Sequence, residues 1–298
     1  MLFGIIIFLV SLVISLLYYN IILVPKPPTV VFSGIDKFGV NEIYPTTDGG
    51  REWFIDMENP KKDPFFSITN DIPIVKNIGD GSWFINNSQT RLNIITPHGY
   101  TQWKNIEMTG YVKAVPIVNQ TATSLFNNNV NNDNIEESKS IVDISWQARG
   151  GSHNSKTPCE GTAYHGGIYL DGTIAWKKEI WHTGGYTDAM GTSKATNTVS
   201  DKWIGWKIAM YNIDNNKAVK MESYLDDKDN NKWKKVADMI DNGGWYATNP
   251  DAIFYNAGCG KSKDYIITNA GSIATLRSDN VAIYFKDLSI REIQPPSK

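Results

Sequence analysis

The chain has little charge, little cysteine and no excess of basic residues. Its 29 lysine and arginine residues nearly balance 31 aspartate and glutamate residues, and charged residues make up only 20% of 298 positions. Without a large basic field the protein lacks the electrostatic surface that attracts nucleic acid, so we expect no nucleic-acid partner. The 24 glycines, 13 prolines, 10 tryptophans and 14 tyrosines exclude a disordered, collagen-like or coiled-coil chain.

Several catalytic signatures are also absent. No Gly-x-Ser-x-Gly sequence is present, so a serine hydrolase of the nucleophile-elbow type is not supported. Gly184-Gly185 and Gly243-Gly244 carry no phosphate-loop or dinucleotide-binding pattern. The sequence therefore gives no support to nucleotide chemistry.

The first residues are long enough and apolar enough to cross a membrane. Residues 2–24 contain no charge, and a hydrocarbon core needs about 20 apolar residues. A clear positive n-region and a cleavage site are missing, so we predict a transmembrane anchor or signal-anchor over residues 1–24. The Pro-rich residues 25–28 are predicted to be a stiff spacer.

Other features indicate that residues 29–298 form an extracellular domain, which would be secreted if the N-terminal segment were cleaved. Cys159 and Cys259 could form one disulfide, the alternative being two buried thiols. Asn86-Asn87-Ser88 and Asn119-Gln120-Thr121 match the pattern of N-glycosylation sites. Lys26 alone would favour a cytoplasmic location, but positive charge governs orientation weakly when a long domain follows.

From residue 29 onward the pattern is that of an all-β protein. No sustained period of 3.6 occurs, and short alternating or β-branched runs recur between Gly, Asn and Asp. Residues 170–172 and 213–216 are predicted to be tight turns, and the Asn-rich residues 127–134 a loop. We predict two packed antiparallel sheets. The predicted strands are 82–86, 91–96, 110–118, 140–148, 166–172, 203–213, 219–226 and 282–293.

Three of these segments resemble the concanavalin A-like lectin/glucanase superfamily. They are W-x-G-W-K-I-A-M-Y-N at 203–212, V-K-M-E-S-Y-L-D at 219–226 and the closing run at 282–293. The resemblance implies an antiparallel jelly-roll sandwich and a polysaccharide or cell-surface glycan as partner. The chain also resembles a group of secreted archaeal and microbial proteins. Four strings carry this second resemblance, YPTTDGGREWF from Tyr44, EMTGYVK from Glu107, ARGGSHN from Ala148 and CEGTAYHGG from Cys159.

Functional side chains are densest between residues 146 and 188, where three of the four histidines fall. In strand geometry His165 shares a face with Tyr169, while Ile168 and Leu170 flank the opposite side. Glycine pairs beside Arg149 and His165 would let a ligand approach the backbone. We expect Arg149 and His165 to face one groove. The candidate substrate-binding residues are Lys177, Glu179, Trp181, His182 and Tyr284.

One functional hypothesis is a polysaccharide lyase that cleaves uronic-acid polymers by β-elimination. Arg149, with Gln147 on its strand face, would neutralise the carboxylate, and His165 would abstract the proton. Tyr169 or Tyr284 would protonate the leaving oxygen. The resemblance to alginate-lyase-like jelly rolls implies the same residue types, although the R-x-E-L-R and Y-F-K-A-G-x-Y strings of those enzymes are not reproduced.

The alternative is a non-catalytic glycan-binding or adhesion module, in which aromatic faces stack on sugar rings. Trp146, Trp203, Trp206 and Trp245 are candidates, but each is more simply explained by core packing. A glycoside hydrolase of this fold would need E-x-D-x-x-E on one strand, which is absent. Glu179 and Glu222 are candidates for that chemistry only by elimination.

Metal cofactors are not expected from spacing. His153, Cys159, His165 and His182 match no zinc-ligand pattern. Residues 226–231, DDKDNN, cluster oxygen ligands that would suit calcium, but Lys232 occupies the position of the EF-hand glycine. We interpret this run as a solvated turn, with calcium the one cofactor left open.

Overall fold

The computed structural model describes residues 34–96, 103–117, 143–153, 156–182, 185–248 and 259–296. The predicted anchor, the Pro-rich spacer, the sequence Asn119-Gln120-Thr121 and the Asn-rich tract at 127–134 lie outside these residues. Within them, no helix is long and apolar enough to cross a membrane. The helices that are described here are short 3-10 turns, Pro60–Lys62, Thr69–Asp71 and Pro158–Gly161.

Two antiparallel sheets make up most of the described chain. One has seven strands in the spatial order β12-β11-β10-β9-β16-β7-β4. Its strands are β4 (Phe66–Ile68), β7 (Gln89–Ile95), β9 (Asp143–Gly150), β10 (Ala163–Tyr169), β11 (Thr173–Glu179), β12 (Met190–Lys194) and β16 (Ile273–Asp279).

The second sheet has the order β15-β14-β13-β8-β17-β6-β5, with β3 paired to β17, and β1 (Gly34–Ile35) pairs separately with β2 (Asn41–Glu42). Its strands are β3 (Glu52–Phe54), β5 (Val75–Lys76), β6 (Trp83–Ile85), β8 (Ile106–Pro116), β13 (Trp203–Ile213), β14 (Ala218–Asp226), β15 (Lys234–Asp241) and β17 (Val281–Glu292).

Buried tryptophans join the two sheets. Trp146 of β9 donates its indole N–H to the Trp206 carbonyl, 3.1 Å away, and Trp206 of β13 donates to the Gly166 carbonyl, also at 3.1 Å. A Cβ at Gly166 would lie 2.5 Å from Ile208 Cδ1, so only glycine fits there. The inward alternate residues of both sheets thus form one core.

The all-β, antiparallel two-sheet prediction is confirmed, and the architecture is consistent with a jelly-roll sandwich. Each predicted strand overlaps an observed one within the described residues, with its ends shifted by a few positions. The predicted turn at 213–216 is present, with Asp214, Asn215 and Asn216 at positive φ values of 50°, 56° and 63°. Asn and Asp tolerate this left-handed region better than most residues, which explains the composition of the turn.

Candidate functional site

The outer face of the seven-stranded sheet carries an open groove of about 400 Å³. Alternation along each strand sends one set of side chains into the core and the other set to this face. The groove is defined by the residues that line it, Asp143, Ser145, Gln147, His165, Gly167, Tyr169, Ala175, Lys177, Tyr186, Arg277, Asp279 and Asn280.

Cross-strand register explains why a depression forms there. Ser145 of β9 pairs with Gly167 of β10, which pairs with Ala175 of β11, so three small residues lie side by side as a floor. Side chains that lie directly opposite each other on neighbouring strands are close enough to touch. The rows of larger side chains on either side of this floor therefore form its walls. One flanking row is Gln147, His165 and Lys177, and the other is Asp279, Asp143 and Tyr169.

The positively charged side chain of Arg277 lies at one end of the floor. Arg277 of β16 pairs with Ser145, and its Nε lies 2.6 Å from Oδ2 of Asp279, while its Nη2 donates to Oδ1 at 2.9 Å. Burial alone would lower the pKa of Arg277, but the Asp279 carboxylate outweighs it and raises that pKa. The guanidinium is therefore charged and held in one orientation.

Two buried acceptors in the groove have no hydrogen-bond partner within the described part of the chain. They are Oδ1 of Asp143 and Oε1 of Gln147. Burial, together with the nearby Asp279 carboxylate, raises the pKa of Asp143 to about 6, although Lys177 acts in the opposite direction. At neutral pH this face thus presents desolvated acceptor atoms, which gain most from a ligand that donates hydrogen bonds.

Three histidines surround one buried carboxylate beside the groove. His153 Nε2 and His165 Nε2 lie 3.3 Å and 3.0 Å from Oε2 of Glu179, and His182 Nδ1 lies 3.4 Å from Oε1. We call these four residues the histidine cluster. Glu179 is completely buried, and the His165 ring meets Tyr186 edge-on with ring centroids 5.5 Å apart.

Burial sets the protonation states in this cluster. It lowers the pKa of His165 to about 4, so that imidazole is neutral at pH 7. Desolvation would raise the pKa of Glu179, but the three histidine side chains hold it well below its usual range. Desolvation and the adjacent Glu179 carboxylate raise the pKa of Tyr186. The cluster therefore holds an ionised carboxylate next to a neutral imidazole.

A disulfide secures the loop that carries His153. Cys159 and Cys259 are bonded, with their Cα atoms 5.4 Å apart, so the disulfide prediction is confirmed over the alternative of two thiols. Cys159 lies in the 3-10 turn Pro158–Gly161, and a Cβ at Gly161 would lie 2.5 Å from the Cβ of His182. Close backbone packing there brings this 3-10 turn against His182, which follows β11.

The structure gathers several of the predicted site residues. Gln147, His165, Tyr169 and Lys177 line the groove, with Lys177 Nζ 5.6 Å from the centroid of the Tyr169 ring. Glu179 and His182 belong to the histidine cluster instead of the open surface. His165 and Tyr169 were expected to share a face of one strand, whereas β11, which carries Lys177 and Glu179, was not among the predicted strands.

The expectation that Arg149 and His165 share one groove is wrong. Arg149 has a φ of 69° at a shift in register between β9 and β16, and its guanidinium turns toward the other sheet. It donates to Oδ1 of Asn212 at 2.5 Å and to the carbonyls of Ile267 and Lys104 at 2.7 Å and 3.0 Å. The arginine proposed for β-elimination is therefore separated from the proposed base, His165, and acid, Tyr169, which both line the groove.

Two other predicted substrate-binding residues lie elsewhere. Tyr284 packs against Phe84, with ring centroids 4.4 Å apart and ring planes tilted by 31°, on the outer face of the eight-stranded sheet, because its neighbours Ile283 and Phe285 fill the core. Trp181 is 4% exposed and packs with Ile180 in a small apolar cluster. Neither side chain lines the groove.

The tryptophans considered for sugar stacking are mostly internal. Trp146, Trp206 and Trp245 belong to the core, which confirms the core-packing interpretation of these three residues. Trp203 is partly exposed on the eight-stranded sheet, where Lys286 Nζ lies 4.6 Å from its ring centroid. The aromatic side chains that line the groove are tyrosines, Tyr169 and Tyr186.

The acidic run at residues 226–231, which was considered for calcium, forms hydrogen bonds within its own turn. Oδ2 of the fully buried Asp226 accepts the backbone N–H groups of Asn230 and Asn231 at 2.8 Å and 2.6 Å, and the hydroxyl of Tyr111 at 3.3 Å. These bonds explain the clustering of oxygen-bearing residues without an ion.

Sequence reasoning missed the contribution of β16. Arg277 and Asp279 alternate on this strand, and Asp143 lies opposite Asp279, but none of the three was proposed as a site residue. The period-2 spacing of Arg277 and Asp279 was the available signal. Nothing in the sequence indicated that residues 273–279 would pair with residues 143–150, more than a hundred positions earlier.

The fold and site define a jelly-roll-type all-β protein with a polar groove on one sheet. No family model and no curated protein matches the sequence. The resemblance to secreted archaeal and microbial proteins therefore stays a prediction.

Among solved structures, the chain is similar to the CBM2 module of the evolved Dit protein of Lactobacillus casei BL23 phage J-1. The identity is 6%, the TM-score 0.43, and 84% of this chain and 99% of that chain are covered. It is also similar to the carbohydrate recognition domain of Emp47p, with 9% identity, a TM-score of 0.42, and coverage of 87% of this chain and 99% of that chain. A seed lectin of Lotus tetragonolobus is similar as well, with 9% identity, a TM-score of 0.41, and coverage of 83% of this chain and 100% of that chain. Because these TM-scores are below 0.5, the fold and function rest on the chain's own geometry.

Proposed function

We propose that this protein is a non-catalytic glycan-binding module and that the groove on the seven-stranded sheet holds the sugar. The observation that carries the proposal is the pair of buried acceptors without a hydrogen-bond partner, Asp143 Oδ1 and Gln147 Oε1, which lie in the two opposite walls of an open groove. Buried polar atoms normally have partners, so unpaired acceptors in a cleft favour a ligand that supplies donors.

The mixture of groups fits hydroxyl-rich ligands. A sugar hydroxyl both donates and accepts, and the groove offers acceptors on Asp143 and Gln147 and donors on Arg277 and Lys177. Tyr169 supplies an aromatic surface for the apolar face of a ring. A volume of about 400 Å³ is in the range of small-ligand sites, which suits a short stretch of a longer glycan.

The substitution Asp143→Asn tests glycan binding, because it is expected to weaken binding without lowering the stability of the fold. The substitution removes a charged acceptor, and a hydrogen bond to a charged group contributes about 1.5–3 kcal/mol, so we expect glycan affinity to fall about ten- to hundredfold. Because burial raises the pKa of Asp143, its ionisation costs stability above pH 6. The free energy of unfolding at pH 7 should therefore stay unchanged or rise.

The measurement begins with retention of the full chain, in a sugar-free detergent, on immobilised neutral glucans, mannan, galactan, alginate and pectate. Titration with an oligosaccharide of the retained glycan then compares wild type with Asp143→Asn. Asp238→Asn removes an acidic side chain of β15 on the other sheet and is the matched control. The proposal would be contradicted if no glycan retained the protein, or if wild type and Asp143→Asn bound the oligosaccharide with equal affinity.

The module is further proposed to act outside the cell, tethered by residues 2–24. The bonded Cys159 and Cys259 support this placement because disulfides persist in oxidising compartments. The uncharged length of residues 2–24 supports the tether. Free thiols at both positions in protein taken directly from cells would contradict an extracellular location.

A further inference from the structure

We infer that the histidine cluster is a binding site for a transition-metal dication of the zinc type, with His153, His165 and Glu179 as ligands. One nitrogen of each histidine and a carboxylate oxygen of Glu179 all lie within 4.8 Å of one another. This inference does not depend on glycan binding. It departs from the expectation, based on sequence spacing, that the histidines form no zinc site.

Two of the three separations between the ligand atoms match those around one shared ion. With zinc–ligand bonds of about 2.0–2.1 Å, the ligand atoms of a tetrahedral site are about 3.3 Å apart. His153 Nε2 and His165 Nε2 lie 3.3 Å and 3.0 Å from the same oxygen, Oε2 of Glu179. Two imidazoles and one carboxylate are a donor set that zinc uses, and they leave one position for water.

His165 provides an independent observation. Its Nε2 is buried and makes no hydrogen bond, although it lies 3.0 Å from Oε2 of Glu179, because the contact is off the hydrogen-bonding direction. The side chain is 7% exposed and that of Glu179 is 0%. A buried nitrogen that lies next to a carboxylate oxygen without a hydrogen bond between them is satisfied by a cation that both atoms bind.

His182 contacts the other oxygen of the Glu179 carboxylate. Its Nδ1 lies 3.4 Å from Oε1 of Glu179, so it orients the carboxylate while Oε2 faces the other two histidines. Groups that hydrogen-bond to a ligating carboxylate fix its direction and strengthen metal binding. His182 is therefore a positioning residue for the metal.

The ligands come from three separate elements, which is why spacing along the chain gave no signal. His165 lies on β10 and Glu179 ends the neighbouring β11, two positions removed from direct pairing. His153 follows β9 in the loop that the Cys159–Cys259 disulfide secures. The sheet fixes two ligands, and the disulfide-linked loop supplies the third.

Zinc binding to the untagged full chain tests the inference. Protein stripped with EDTA is mixed with Zn²⁺, separated by gel filtration and analysed for metal, and affinity is measured by competition with a chromophoric chelator. We expect about one zinc per chain for wild type and at least about a hundredfold weaker binding for His153→Ala and Glu179→Gln. His182→Ala should weaken binding about tenfold.

Glu222→Gln is the matched control for Glu179→Gln. Glu222 is also a buried glutamate that accepts a tyrosine hydroxyl, but it lies on β14 of the other sheet. This variant should keep one zinc per chain. His153→Ala alters a loop residue outside the strands, so it keeps the test decisive if Glu179→Gln does not fold. Zinc absent from wild type, or retained equally by His153→Ala, would overturn the inference.

Discussion

Replacing Glu107 with alanine is expected to lower the free energy of unfolding by about 3–5 kcal/mol. The carboxylate is 1% exposed, and its Oε1 lies 2.7 Å from Lys207 Nζ and 2.9 Å from Arg291 Nη2. It also accepts the backbone N–H groups of Ile43 and Tyr44, each at 3.1 Å. Alanine would leave two buried cations and two amides without this partner.

Urea unfolding followed by tryptophan fluorescence measures the effect. Glu58→Ala is the matched control, because Glu58 pairs with Lys76 at 2.8 Å but its side chain is 91% exposed, and exposed pairs contribute at most about 1 kcal/mol. Desolvation would raise the pKa of Glu107, but Lys207 and Arg291 hold it below its ordinary value. Its stabilisation is therefore complete at neutral pH and is lost as the pH falls through that lowered pKa. Equal costs for the two variants would contradict this account.

Removal of the disulfide is the second large effect. Cys159 and Cys259 are separated by 100 positions, and cross-linking a loop of that length stabilises a protein by up to about 4.7 kcal/mol through the entropy of the unfolded chain. We expect the double variant Cys159→Ser/Cys259→Ser to lose about 2–5 kcal/mol. The loop that carries His153 should become more accessible as well.

Reduction of the wild-type protein provides the comparison for that variant. Wild type in a reducing agent should unfold at the same urea concentration as the double variant, and the reducing agent should leave the double variant unchanged. An unfolding midpoint of the double variant equal to that of oxidised wild type would show that the cross-link does not stabilise the fold.

The fold was largely predictable because its signal is local. Runs such as 203–213 and 219–226 alternate in strand fashion, and the Asp and Asn residues between them favour the observed left-handed turn. Shorter or more polar strands, such as β12 and β16, were not predicted, because they are stabilised by the strands beside them. Local pattern cannot reveal that kind of support.

The site was predicted only in part, since its geometry depends on long-range pairing. Gln147, His165 and Tyr169 were identified from alternation, and they do line the groove. Arg149 should have joined them by the same rule, but its positive φ at a register shift turned it the other way. Arg277 enters the groove only because β16 inserts between β9 and β7.

We propose that glycan binds to the seven-stranded sheet and not to the eight-stranded one. The most direct test is the affinity for the retained oligosaccharide of Tyr169→Ala and Tyr284→Ala, which remove the same side chain from the outer faces of the two sheets. A lost aromatic contact is worth about 0.5–1.5 kcal/mol, so Tyr169→Ala should weaken binding about three- to tenfold while Tyr284→Ala leaves it unchanged. Loss of binding in Tyr284→Ala with normal binding in Tyr169→Ala would place the glycan on the other sheet and contradict the account.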